Sequence, residues 1–212
     1  MMTSVVVAGF GPFPGAPRNP SADLARALGR RRRPALAGAR IVATVLPTTY
    51  AAVTDLPALL AKHNFDLVLL FGLAAGDRFI RVKTRAVNAA SPLHPDAARV
   101  TPGRRILIRD APSRLPVRAP VPRLIAAARS TGASVRLSRD AGRYICNAAL
   151  FSCLDTARRT GRPEIVAFVH IPRPRPRFPR RSRPQSSGPT LAALIRAGEA
   201  ILVALLAQCR RD

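Results

Sequence analysis

The stretch "FDLVLLFGLAAG", residues 65–76, decides the fold. Leu67 to Phe71 are apolar without alternation. A strand with one wet face alternates polar and apolar side chains, so an unbroken apolar run predicts a strand covered on both faces. Covers for such a strand are present on either side of it. The helix patterns are "NPSADLARALGR" (19–30), "TDLPALLAKHN" (54–64), "PVPRLIAAARSTG" (120–132), "YICNAALFSCLDTARRTG" (144–161) and "TLAALIRAGEAILVALLAQCRR" (190–211). Between them run strand patterns at 4–13, 39–50, 133–142 and 164–172. The segment "RFIRVKTRAVN" (78–88) alternates Phe79, Ile80, Val82 and Val87 with Arg81, Lys83 and Arg85, and reads as one strand with a wet face. Strands alternating with helices predict a layered α/β fold with a mostly parallel sheet. The expected organisation is one domain over residues 1–212.

Local punctuation supports these elements. Pro20 suits an early helical position, and Asn19 or Ser21 can cap that helix. The arginines from Arg30 to Arg33 read as a solvated helix end. Gly161 closes the fourth helix. Residues 89–105 read as loop. Five Pro and six Arg between residues 173 and 189 exclude regular structure there and predict an extended, flexible loop. The terminal helix has a broad apolar face and basic residues in its last turn.

The 212 residues carry a formal net charge of +24, almost all of it from Arg, since the only lysines are Lys62 and Lys83. Such a field attracts anions. The basic residues are scattered, however, and aromatics make up only 5%, which leaves few stacking platforms. Nucleic acid is therefore not the expected partner. The run Ala200 to Ala207 falls far short of the ~20 apolar residues a spanning helix needs, so no membrane association is expected. Three cysteines, Cys146, Cys153 and Cys209, lack metal-site spacing. They point to a reducing cytoplasm and to no metal or cofactor.

Cys146 stands where "RYI" turns into a helix pattern. Unpaired N–H groups and the dipole at a helix N-terminus favour a thiolate, and the same groups can hold an oxyanion. A thiol nucleophile needs a base. His63 follows a polar helix end and His94 lies in a Pro-rich loop. His170 ends the apolar run "IVAFVH", at the carboxyl end of a buried strand, where α/β folds keep their sites. A Cys146–His170 dyad competes here with a plainer alternative, a core cysteine and a strand-end histidine. Cys153, two helical turns on, reads as core.

Four blocks carry a resemblance. "AGFGPFPGAPRNPS" resembles "GFxPFGG…NPS", "FDLVLLFGLAAG" resembles "PDIVLxVGLAxGR", "DAGRYICNAALF" resembles "AGxYxCNxxxY", and "VAFVHIP" resembles "xGFIHVP". All four belong to the pyroglutamyl peptidases of type I, the pyrrolidone-carboxylate peptidases, and occur in that family's order and spacing. The resemblance implies a three-layer α/β/α sandwich with a mostly parallel, mixed central sheet. It implies a cytosolic cysteine omega-peptidase acting on peptides with an N-terminal pyroglutamate, without a cofactor, assembled as a dimer or tetramer. It places Cys146 on the nucleophile and His170 on the base. Phe10, Phe13, Asn19 and Leu73 fall on substrate-binding positions, the two Phe on the rings that sandwich the lactam.

The chain also departs from the family pattern. Aligned without gaps from "FGLAAG", Lys83 stands at the position of the family's third catalytic residue, a Glu. A carboxylate there would stabilise the imidazolium, whereas Lys is positive and donor-only. Asp77, six residues earlier, lies too far along an extended strand at ~3.3 Å per residue to replace it, which leaves Asp140 as the candidate. Leu93 takes the place of the Arg in the family's "DARIPDN", with Arg99 as a displaced substitute. These departures raise two further expectations: an impaired relative that binds acidic ligands, or a peptidase of altered acyl specificity.

Overall fold

A computed structural model describes residues 2–175 and 188–210. Most of the Pro/Arg-rich segment expected to be flexible, residues 176–187, lies outside the described residues. The main sheet uses β1 (Thr3–Phe10), β2 (Ala39–Leu46), β3 (Leu67–Ala74), β4 (Ile80–Lys83), β7 (Val135–Ser138) and β8 (Ile165–Pro172). Their order is β2-β1-β3-β8-β4-β7. All pairings are parallel except β4 with β8, so β4 and β7 run against the other four. The remaining strands, β5 (Arg85–Val87) and β6 (Arg114–Pro116), form a separate two-stranded ribbon.

The unbroken apolar run in β3 has the expected cause. Leu67, Leu69 and Phe71 face one core with α1 (Pro20–Gly29), α3 (Val121–Arg129) and α5 (Leu191–Cys209). Val68 and Leu70 face a second core with α2 (Tyr50–His63) and α4 (Ile145–Thr160). Alternate residues of one strand thus supply two cores, giving an α/β/α sandwich. β8, in register with β3 from Leu67 opposite Ile165 onward, is buried along all eight residues. Each buried Val, Leu, Ile or Phe of these strands contributes roughly 1.5–3 kcal/mol.

The N-terminal half docks through close backbone contacts. Asn19 caps α1, its Oδ1 accepting from Ser21 N at 3.2 Å. Ser21 Oγ in turn accepts from Phe10 N at 3.0 Å, tying the helix start to the end of β1. Gly9 makes this approach feasible, because a Cβ there would meet Ser21 O at 2.2 Å. α5, although long and apolar enough by length and composition to cross a membrane, lays Leu194, Ile201, Leu202, Leu205 and Leu206 into the first core.

Several expectations need correction. Residues 78–88 are two strands, broken at Thr84, whose N–H donates to Ser138 O while its carbonyl accepts from Val117 N. The ribbon partner β6 carries no apolar signal of its own. Helix α2 begins at Tyr50, inside the segment expected to be strand, because Thr49 caps it by accepting from Ala52 N at 3.2 Å. The run Arg30 to Arg33 is not simply solvated: Arg31 and Arg33 pair with the buried Glu199 of α5. The last turn of α5 holds no basic residue; Arg210 follows it and donates to Ala37 O.

Substituting Gly9 by Ala would press a Cβ into backbone that has no room to yield. The expected result is a loss of about 3 kcal/mol of stability, read as a lower urea midpoint with an unchanged slope.

Candidate active site

The carboxyl ends of β1, β3 and β8 open beside the N-terminus of α4, and a cavity of about 200 Å³ lies there. It is lined by Phe10, Phe13, Asn19, Thr48, Leu73, Ala141, Tyr144, Cys146 and His170. The structure therefore brings six of the sequence-derived site residues to one place. Thr48, Ala141 and Tyr144 were not anticipated. Tyr144 carried a signal in its position two residues before Cys146, but Thr48 arrives only because β2 lies beside β1. A larger groove of about 650 Å³ lies elsewhere, along Arg31, Arg32, Arg33, Pro34 and residues 36–41 near the amino end of β2.

Cys146 is the second residue of α4. Asn147, fully buried, fixes this turn: its Oδ1 accepts from Val87 N at 2.9 Å and its Nδ2 donates to Val87 O and Ala89 O. Tyr144 OH donates to Pro95 O at 3.0 Å, tethering the long loop. Asp96 completes the tether by accepting from Tyr50 N at 2.9 Å.

Gly72 lies beneath both reactive groups. A Cβ there would stand 2.9 Å from Cys146 Sγ and 2.8 Å from His170 Cδ2. Thiol and imidazole thus converge on one missing side chain. The His170 ring also meets Phe168 edge-on at 4.9 Å, and Phe168 lies against Phe10 at 6.2 Å. Phe13 stands 6.4 Å from the Tyr144 ring. Asn19 donates from Nδ2 to Gly11 O at 3.0 Å, and its Oδ1 accepts from Ser21 N and Ser21 Oγ, so its amide is spent on holding the loop.

Lys83 does not line the cavity. It is 4% exposed, and its Nζ donates to Ser138 Oγ at 2.9 Å and to Asp140 O. Burial lowers its pKa to about 8, with Arg81 adding to the effect. Burial pushes the Cys146 thiol up to about 12, against the pull of Lys83 and of the cysteine's own amide. Burial also takes His170 down to about 3, and Lys83 and Arg81 push the same way while Asp77 opposes them. Thiol and imidazole both rest neutral near pH 7.

The expected stand-ins lie elsewhere. The Asp140 carboxylate is exposed and accepts from Gly142 N at 2.7 Å; only its backbone carbonyl approaches Lys83. Leu93 is 79% exposed, and neither it nor Arg99 lines the cavity. His63 and His94 are exposed, and Cys153 is buried in the second core. Among the described residues no cluster of His, Cys, Asp and Glu could hold a metal.

The family model for pyroglutamyl peptidase matches residues 3–201. This chain belongs to the pyroglutamyl peptidase family. It is a hydrolase of the cysteine omega-peptidase kind. It is 33% identical over 169 residues to a pyrrolidone-carboxylate peptidase of Thermococcus kodakarensis, covering 79% of this chain and 80% of the relative. A Yersinia pestis pyrrolidone-carboxylate peptidase is 27% identical over 205 residues, 96% of this chain and 90% of the other. Among solved structures, the pyrrolidone carboxyl peptidase of Thermococcus litoralis superposes with a TM-score of 0.88 at 26% identity, covering 100% and 96% of the two chains. Pyroglutamyl peptidase I of Bacillus amyloliquefaciens gives 0.84 at 25%, covering 97% of each. The α/β/α arrangement is thus the family's fold.

A buried ammonium without a carboxylate partner costs stability. Lys83→Met is expected to stabilise the fold by about 2 kcal/mol at pH 7. The unfolded chain holds the lysine proton up to about pH 10.5, the fold only to about 8. Native stability therefore rises with pH between those values. The gain from Lys83→Met should be full below pH 8 and fade toward pH 10.5, as read by thermal unfolding across that range.

Proposed function

We propose that this chain removes N-terminal pyroglutamyl residues from peptides through an acyl-thioester on Cys146, with His170 as the base. The observation that carries the reading is the convergence of Cys146 Sγ and His170 on Gly72 at a cavity with two aromatic walls. A flat lactam suits such a cavity, because Phe10 and Phe13 dehydrate its faces while Leu73 adds an apolar side. Asn19 lines the cavity and fixes the Gly11 carbonyl in the loop after β1.

His170 takes the thiol proton as sulfur attacks the pyroglutamyl carbonyl. The oxyanion faces the backbone N–H groups that open α4. The protonated imidazole then gives its proton to the departing amine, and the peptide leaves with a free N-terminus. Water, activated by the same imidazole, hydrolyses the thioester and restores the thiol. A neutral resting pair transfers its proton during attack instead of storing a thiolate. The free thiol fits a reducing cytoplasm as the place of action, and a dimer or tetramer is the assembly carried over from the resemblance.

Lys83 works against this cycle by opposing the imidazolium. That observation supports a second reading, a member of the fold that binds pyroglutamyl peptides but barely turns them over. Altered acyl specificity is less favoured, since Lys83 does not line the cavity.

Purified protein should release the fluorophore from a pyroglutamyl-coumarin amide, and Cys146→Ala should abolish the release. No release by the folded native protein would reject the enzymatic reading and leave the binding one. Lys83→Glu should raise kcat roughly tenfold or more, with KM little changed, because it exchanges a cation that opposes the imidazolium for a carboxylate that favours it.

A further inference from the structure

β8 lies between β3 and β4 in the sheet, so the connection from β3 to β4 arches over the carboxyl end of β8. That end carries His170, whose neighbour is Gly72 on the β3 side and Arg81 on the β4 side. Asp77 sits in the arch. Its N–H donates to Ala74 O at 3.0 Å and turns the chain back. Its carboxylate grips Arg81 with both oxygens, Oδ1 accepting from Nη2 at 2.9 Å and Oδ2 accepting from Nε. The Asp77 side chain is only 14% exposed.

The charged and titratable groups whose fields reach His170 are few. Lys83 and Arg81 face it from β4, both cationic, and the Cys146 thiol converges on it from α4. Phe168 on its own strand is uncharged. Among the described residues, Asp77 is the one carboxylate whose charge favours the protonated ring.

We propose that Asp77 is the acid that serves His170 in this chain, a positioning residue that grips Arg81 in a bidentate pair and supplies the negative charge the imidazolium needs. This rests on His170 being the base named above. With Arg81 paired, the proton leaving Cys146 arrives beside one cation that has no carboxylate in contact, Lys83, and a nearby carboxylate. Without Asp77 it arrives beside two cations and none. Asp77 does not line the cavity, so it acts on the chemistry only through charge and through the placement of Arg81.

The test uses Asp77→Asn, Arg81→Gln and the double variant, with turnover of the pyroglutamyl-coumarin amide measured against pH. The acidic limb of kcat/KM reports the base in the free enzyme. Asp77→Asn should lower kcat about tenfold with KM within about twofold, and should move the acidic limb to lower pH. Arg81→Gln should move the limb to higher pH, and the double variant should fall between. A merely structural ion pair would move both single variants the same way, through lost stability, and that outcome overturns the proposal. So does an unmoved limb in Asp77→Asn. Alkylation of Cys146 by iodoacetamide, followed against pH, repeats the comparison without turnover. If the native protein lacks activity, the proposed reaction fails, while opposite alkylation shifts would still uphold the Asp77 effect on His170.

Discussion

Two neighbouring strands, β3 and β8, are apolar on both faces, and their cover organises the molecule. Neither can lie at a surface without exposing a row of Leu, Val, Ile or Phe side chains, so α1, α3 and α5 must pack on one side and α2 and α4 on the other. The carboxyl ends of these same strands carry Leu73 and His170. The helix that supplies Cys146 is one of the covers. Core packing and site assembly are therefore one constraint, with Gly72 as the point where they meet. Its missing side chain leaves the space into which a thiol, an imidazole and Phe168 converge.

The site built there is electrostatically unusual. Burial keeps the Cys146 thiol and the His170 imidazole neutral. It also holds a buried lysine, Lys83, whose charge reaches the imidazole. Lys83 is well satisfied as a hydrogen-bond donor, with Ser138 Oγ and the Asp140 carbonyl as acceptors, but the carboxylates of Asp140 and Asp77 act on its charge only through space. The consequences for folding and for chemistry run in parallel. The cation costs stability below its own pKa, and its field disfavours a protonated His170. Asp77, anchored on Arg81 in the arch above β8, is the counterweight that the described residues provide.

Much of this was legible from residue patterns. The apolar run of β3, the helix patterns, the capping Asn19 and the strand-end His170 all depend on local side-chain order, which a sequence displays directly. The four resembling blocks brought Cys146, His170, Phe10, Phe13, Asn19 and Leu73 together on paper, and the structure puts those six at one cavity. Ribbon strand β6 was not legible, because three residues paired through backbone leave no periodic trace. The break at Thr84 was missed for the same reason, since the alternation of 78–88 continues through it. Thr48 reaches the cavity only through the β1–β2 pairing. The ion pairs of Arg31 and Arg33 with Glu199 join residues far apart in sequence.

Asp77 shows the boundary most clearly. Counted along an extended strand, it lies too far from Lys83 to stand in for the missing acid. In the fold, residues 75–79 are an arch, and the antiparallel pairing of β4 with β8 brings Arg81 opposite His170. The sequence by itself determined the layered α/β pattern and the family, because apolar runs and motif blocks are local features of the chain. Only the tertiary structure decided which charges surround His170, because electrostatic neighbours are set by strand order and register, which no local pattern encodes.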